Sequence, residues 1–231
     1  MAAAFNNDDL TNVFVRASSV LDDLQVGNCS ALEFTLPLSK TSPQLPEPSS
    51  GLTLKYATLG RGTQNYTCKA SDSSAAPVAI GASATLFDVS CLISKSPSLV
   101  DGLPALFSGV SLDAMILYAT ILGRMASPTS GNLVIGEHYF TASGSPFFDL
   151  RFAGHGDYVR AKSLDSVSSP DTGKDSTGSY NVPWLLLGSV DGQGIKEVYR
   201  LETSGGAAPT TCQGQDELVE VEYAAAYFFF G

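Results

Sequence analysis

From residue 52 onward, short stretches that alternate or concentrate apolar residues are separated by glycine, proline and serine clusters, the signature of strands joined by tight turns. LTLKYATL (52–59), NYTCKA (65–70), VAIGASATLFDVSCLI (78–93), EHYFTA (137–142), FFDLRF (147–152), DYVRAKSL (157–164), VPWLLLGSV (182–190), IKEVYRLET (195–203) and LVEVEYAAAYFFF (218–230) each read as strand. Asp191-Gly192 has the composition of a hairpin turn between two of them. About ten strands with short connections predict a mainly β fold, an antiparallel sandwich or barrel.

One segment breaks the pattern. In LPALFSGVSLDAMILYATILGRM (103–125), Met115, Leu117, Ile121 and Leu122 recur near helical spacing and Ser111 can cap, so a helix is expected over 112–125. Before residue 52 the signal is weaker. A short helix over 10–20 and a strand at LEFTL (32–36) precede PLSKTSPQLPEPSSG, whose prolines exclude helix and sheet interior and predict an extended surface linker. The organisation expected is an N-terminal arm with a proline-rich linker over 1–50, packed on a single β domain over 51–231.

Gly60-Arg61-Gly62 follows a strand, and Asp88 closes the next apolar run, which invites comparison with a dinucleotide-binding loop. That loop must open directly into a helix, whose N-terminal amides hold the pyrophosphate. Here Asn65 stands at the third glycine position and YTCKASDSSAAP follows, a poor helix with no βαβ rhythm after it. The two glycines are expected to form a tight turn instead, and no cofactor is implied.

Charge narrows the partners. The 231 residues are 44% apolar, which is enough to bury a full core, but only 16% are charged, against about 25% in an average soluble protein. With 13 Lys and Arg against 23 Asp and Glu, the net charge of −10 provides no footprint for nucleic acid or anionic lipid. The longest apolar stretch, over 114–122, is too short to span a membrane.

Cys29, Cys68, Cys91 and Cys212 show no zinc-ligand spacing and read as two disulfides. Together with the scarcity of lysine and the sequons at Asn28 and Asn65, of which Asn65 is the candidate glycosylation site, they predict a secreted protein. MAAAFNNDDL has neither a basic n-region nor an apolar h-region, so the expectation is a mature chain whose leader is absent from this sequence.

The candidate acid/base pair is His138 with Asp149, close enough across a hairpin to meet, with His155-Gly156-Asp157 nearby. A framework histidine and a simple GHGD turn explain the same residues. No metal-binding spacing and no GxSxG elbow is present. A binding face for polysaccharide or glycan has more material. Tyr139, Phe140, Phe147, Phe148, Tyr158, Trp184, Tyr199 and Tyr223 supply rings for stacking on sugar CH faces, and Asp149, Arg151 and Arg200 can serve the hydroxyls. The candidate ligand set is Tyr139, Phe148, Arg151, Tyr158, Trp184 and Arg200. Competing with this, PWLLLG is a continuous apolar run that places Trp184 in a core, and most such rings bury area rather than bind.

The ordered segments GRGTQNYTC, ATLFDVSC, GEHYFT with SPFFDL, PWLLL, EVYRLETSGGAAPTTC and EYAAAYFFF resemble the DUF3455 family of secreted fungal and bacterial proteins. The resemblance covers most of 51–231 and thins before residue 51 and over 95–132. Members are sometimes labelled malate dehydrogenase, a label that the residues do not support, and the resemblance implies no settled activity. It does imply Cys68 with Cys212 and Cys29 with Cys91, with Cys68–Cys91 as the alternative. The reading that follows is a non-catalytic extracellular or cell-wall module that binds carbohydrate or a host or cell surface. Its rivals are a hydrolase or metal-dependent enzyme using His138 and Asp149, and a structural surface protein without a small-molecule site.

Overall fold

LTLKYATL and the start of NYTCKA merge into one strand, β1 (Leu54–Thr67), which with β8 (Leu218–Phe230) is the longest pair, and the two pair with each other along almost their whole length. Between them run β2 (Val78–Asp88), β3 (Val134–Phe140), β4 (Pro146–Asp149), β5 (Tyr158–Val167), β6 (Trp184–Gln193) and β7 (Glu197–Gly205). Each is antiparallel to the next, and the β1–β8 pairing closes the barrel. This computed structural model describes residues 34–69, 73–126 and 132–231. Among them the fold is an eight-stranded, closed antiparallel barrel with few helices. The helix expected over 112–125 is present as α3 (Leu112–Ala126), preceded by the short α1 (Ser90–Lys95) and α2 (Leu103–Phe107).

An eight-stranded barrel has an interior just wide enough for side chains to fill. Leu86, Phe148, Val159, Leu187, Val198, Tyr223, Tyr227 and Phe229 fill it here. Among the described residues, the outer wall is covered on one side only. Phe34 stacks on Phe228 with ring centroids 5.2 Å apart, and Leu36, Leu38 and Leu45 pack with it over Trp184, Leu186, Tyr199 and Leu201. Next to this arm, Met115 and Ala119 of α3 pack on Leu59, Phe87 and Ala224. This double coverage explains why YAAAYFFF is apolar at every position: its residues alternate between the filled interior and the covered wall, and all are buried.

Several local expectations are corrected. Gly60 and Gly62 do not turn the chain, and β1 runs straight through them. A Cβ on Gly60 would stand 2.5 Å from Cε2 of Tyr227, so the glycine makes room for that ring inside the barrel. Arg61 points outward and is buried beneath the helical segment, where its Nε donates to Val110 O at 3.1 Å and its Nη2 pairs with Glu222. The 78–93 run ends as a strand at Asp88, whose Oδ1 accepts the Ser90 N–H at 2.8 Å as α1 begins. Residues 34–36 are not strand, and the proline-rich linker is only partly on the surface, since Leu38 and Leu45 are core residues. Asp191 and Gly192 remain in β6 paired with Arg160 and Val159 of β5, which moves the turn to the following residues. The helix expected over 10–20 and the Asn28 sequon lie outside the described residues.

Cys68 and Cys212 form a disulfide across 144 residues. Cys91 is also disulfide-bonded, and its expected partner, Cys29, lies outside the described residues. Disulfides persist in oxidising compartments, which is consistent with an extracellular protein. No helix among the described residues is long and apolar enough to cross a membrane.

Candidate functional site

Strand alternation separates the proposed acid/base pair. His138 lies opposite Phe148, and Glu137 lies opposite Asp149, so His138 and Asp149 belong to opposite faces of the sheet. His138 is 4% exposed inside the barrel, stacked on Phe148 with centroids 4.1 Å apart and planes within 10°. Its Nδ1 lies 2.9 Å from Phe147 O, which can only accept, so Nδ1 carries the proton. Burial lowers its pKa to about 4; the bond to Phe147 O opposes this shift, and the Arg200 charge adds to it. His138 is therefore neutral near pH 7.

Asp149 faces outward and is held by Arg151 through bonds of 2.8 Å from Nε and 2.6 Å from Nη2. The guanidinium keeps this carboxyl below its ordinary range against the opposing effect of burial. His155 and Asp157 form a separate network at the barrel end where β1 begins. Lys55 Nζ and Tyr56 OH donate to Asp157 Oδ2 at 2.5 and 2.8 Å, and His155 Nδ1 lies 3.3 Å from Tyr56 OH. Burial pushes Asp157 up, but the bonds from Lys55 and Tyr56 outweigh it and hold the group low. Burial and the bond to Asp157 push the Tyr56 phenol up, so it stays protonated and donates. Lys55 and Tyr56 were not singled out by sequence; they sit in LTLKYATL, which reads only as alternating strand. Among the described residues, no group of three His, Cys, Asp or Glu side chains could hold a metal ion.

The candidate ligand residues divide in the same way. Phe148 and Trp184 are fully buried, and Trp184 lies under the arm. Arg200 is buried opposite Tyr227, with its Nη2 donating to Pro183 O at 2.8 Å. Asn65 lies half-buried within β1, paired to both neighbouring strands, with its Oδ1 enclosed; a sequon on an exposed loop would present its side chain very differently.

Tyr139, Arg151 and Tyr158 do come together. Tyr139 on β3 faces Phe147 on β4, ring centroids 5.2 Å apart, and Phe147 stacks diagonally on Tyr158 of β5 at 5.9 Å and 21°. The Arg151 guanidinium lies over the Tyr158 ring at 4.7 Å while it also binds Asp149. Arg160 stands next to Phe147 in the same outward register. All three rings are partly exposed, and none belongs to the apolar clusters formed with the arm or the helices. Period two links Arg160 to Tyr158 and Phe147 to Asp149 within their own strands, and only the register, Tyr139 opposite Phe147 and Phe147 opposite Arg160, brings them to one face.

The fold and this face define a closed antiparallel barrel, wrapped on one side and aromatic on the other. Residues 48–231 match the model described as a protein of unknown function (DUF3455), and the chain belongs to that family. No curated protein and no solved structure matches it.

Proposed function

We propose that this protein is a secreted, non-catalytic module that binds carbohydrate, in a cell wall or on a cell surface, through the row Tyr139–Phe147–Tyr158. The observation that carries the reading is a row of three partly exposed rings on a wall that, among the described residues, neither the arm nor the helices cover. Rings that serve only packing are buried here by the arm, the helices or the interior, as Phe228, Phe148 and Trp184 are. An aromatic row offers apolar surface to the CH faces of a sugar, and the flanking Asp149, Arg151 and Arg160 offer an acceptor and donors for its hydroxyls. Arg151 is positioned on both sides, by Asp149 and by Tyr158, which lowers the ordering cost of using it.

The disulfides and the sparse, acidic charge support an extracellular setting. A non-catalytic role accords with the separation of His138 from Asp149. The test is retention of the purified, oxidised protein on insoluble chitin, cellulose and β-glucan, followed by a soluble glycan array. Selective retention at moderate salt supports the reading; no retention on any of them rejects it.

A further inference from the structure

The outward face that holds the aromatic row also holds a charge that the rings do not explain. Glu137 stands two residues before Tyr139 on β3 and directly opposite Asp149 on β4. Like charges opposite each other across a strand pair are destabilising. Asp149 is relieved by Arg151, but Glu137 is exposed and makes no ion pair among the described residues. We propose, on the carbohydrate-binding reading of this face, that the glycan bound by the row Tyr139–Phe147–Tyr158 carries protonated amino groups, as a deacetylated amino-sugar polymer does.

Three observations select an amino sugar. The first is the attraction of the rings for cations. The Arg151 guanidinium already lies over Tyr158 at 4.7 Å, and an ammonium group over an aromatic face is attracted in the same way. Among the described residues no cation lies over Tyr139 or Phe147, and both rings are partly exposed. The second is the local balance of charge. Arg160 stands opposite Asp191 in register, a favourable cross-strand pair, and Lys162 lies farther along β5 opposite Gly188. Glu137, beside Tyr139 at the other end of the row, is the carboxylate left for a ligand cation. The third is the field of the whole chain, whose net charge of −10 attracts a cationic polymer and repels a polyuronate or a sulfated glycan. A neutral glycan can stack on the rings but gains no ion pair with Glu137.

Titration calorimetry of the full chain with the hexamers of glucosamine and of N-acetylglucosamine, at pH 6 and about 0.15 M salt, tests the proposal. Wild type should bind the glucosamine hexamer about tenfold more tightly than the acetylated one. Glu137→Gln should bring the two ligands to within about threefold of each other. Glu220→Gln removes the same charge from an exposed position on β8, outside the row, and should keep the tenfold preference. Equal affinity of wild type for the two hexamers, or a preference that Glu220→Gln removes as completely as Glu137→Gln, overturns the amino-sugar assignment while the carbohydrate reading stands. Binding of neither hexamer overturns the assignment as well, and retention of wild type on chitin, cellulose and β-glucan then decides the carbohydrate reading separately.

Discussion

Tyr139 and Phe147 stand side by side on the outer wall of the barrel, 5.2 Å apart, while the residues adjoining them, His138 and Phe148, stack inside it at 4.1 Å. One pair of short strands thus presents an accessible aromatic face and a sealed one. The two faces should respond differently to substitution. Tyr139→Ala or Tyr158→Ala should weaken glycan retention roughly tenfold, about 1.4 kcal/mol, and lower stability by about 1–2 kcal/mol through the lost ring contacts. Trp184→Ala, at the site of the chain's one tryptophan, should instead destabilise the fold by about 3–5 kcal/mol, because it empties a fully buried position under the arm. Binding isotherms and urea unfolding of the three variants measure both quantities.

His138 links stability to pH. Its folded pKa of about 4 lies below the ordinary value of 6.5, so the unfolded chain takes up the proton first as pH falls. The stabilisation is complete above about pH 6.5, declines between 6.5 and 4, and is constant below that; its full size is on the order of 3 kcal/mol. Urea unfolding at pH 7 and pH 4.5 should show the loss in wild type and much less of it in His138→Gln. A slope that survives the substitution unchanged would assign it to other groups.

The Cys68–Cys212 bridge closes a loop spanning 144 positions, so its removal should release a large amount of unfolded-state entropy. The Cys68→Ala/Cys212→Ala double variant should lose about 4–5 kcal/mol at 25 °C on the chain-entropy account. Chemical denaturation of oxidised wild type beside the double variant provides the value.

Gly60 makes room for the Tyr227 ring rather than turning the chain. Gly60→Ala should therefore cost about 1–3 kcal/mol by overpacking a filled interior. Gly51→Ala is a useful contrast: a Cβ there meets no neighbour, and only its positive φ of 87° opposes the substitution. Thermal unfolding of the two variants separates crowding from backbone strain.

Much of the barrel was legible in the sequence because period-two patterning marks a strand regardless of its neighbours. The α3 helix was legible for the same local reason. Gly60 and Gly62 misled because glycine signals both a turn and close packing, and only the partner strand decides between them. Asp191-Gly192 has hairpin composition, but its pairing with β5 extends β6 through it. The separation of His138 from Asp149 followed from strand parity once the register was known, since one residue of shift exchanges the faces. The exposed rings could not be told from the buried ones, because the covering of the wall by Phe34, Leu36 and Leu38 depends on contacts distant in sequence.

The most direct measurement is retention on insoluble chitin, cellulose and β-glucan of wild type beside a Tyr139→Ala/Tyr158→Ala double variant verified as folded. The account predicts that wild type is held on at least one polymer and that the double variant passes through. Equal retention of the two proteins, or none by wild type, contradicts it.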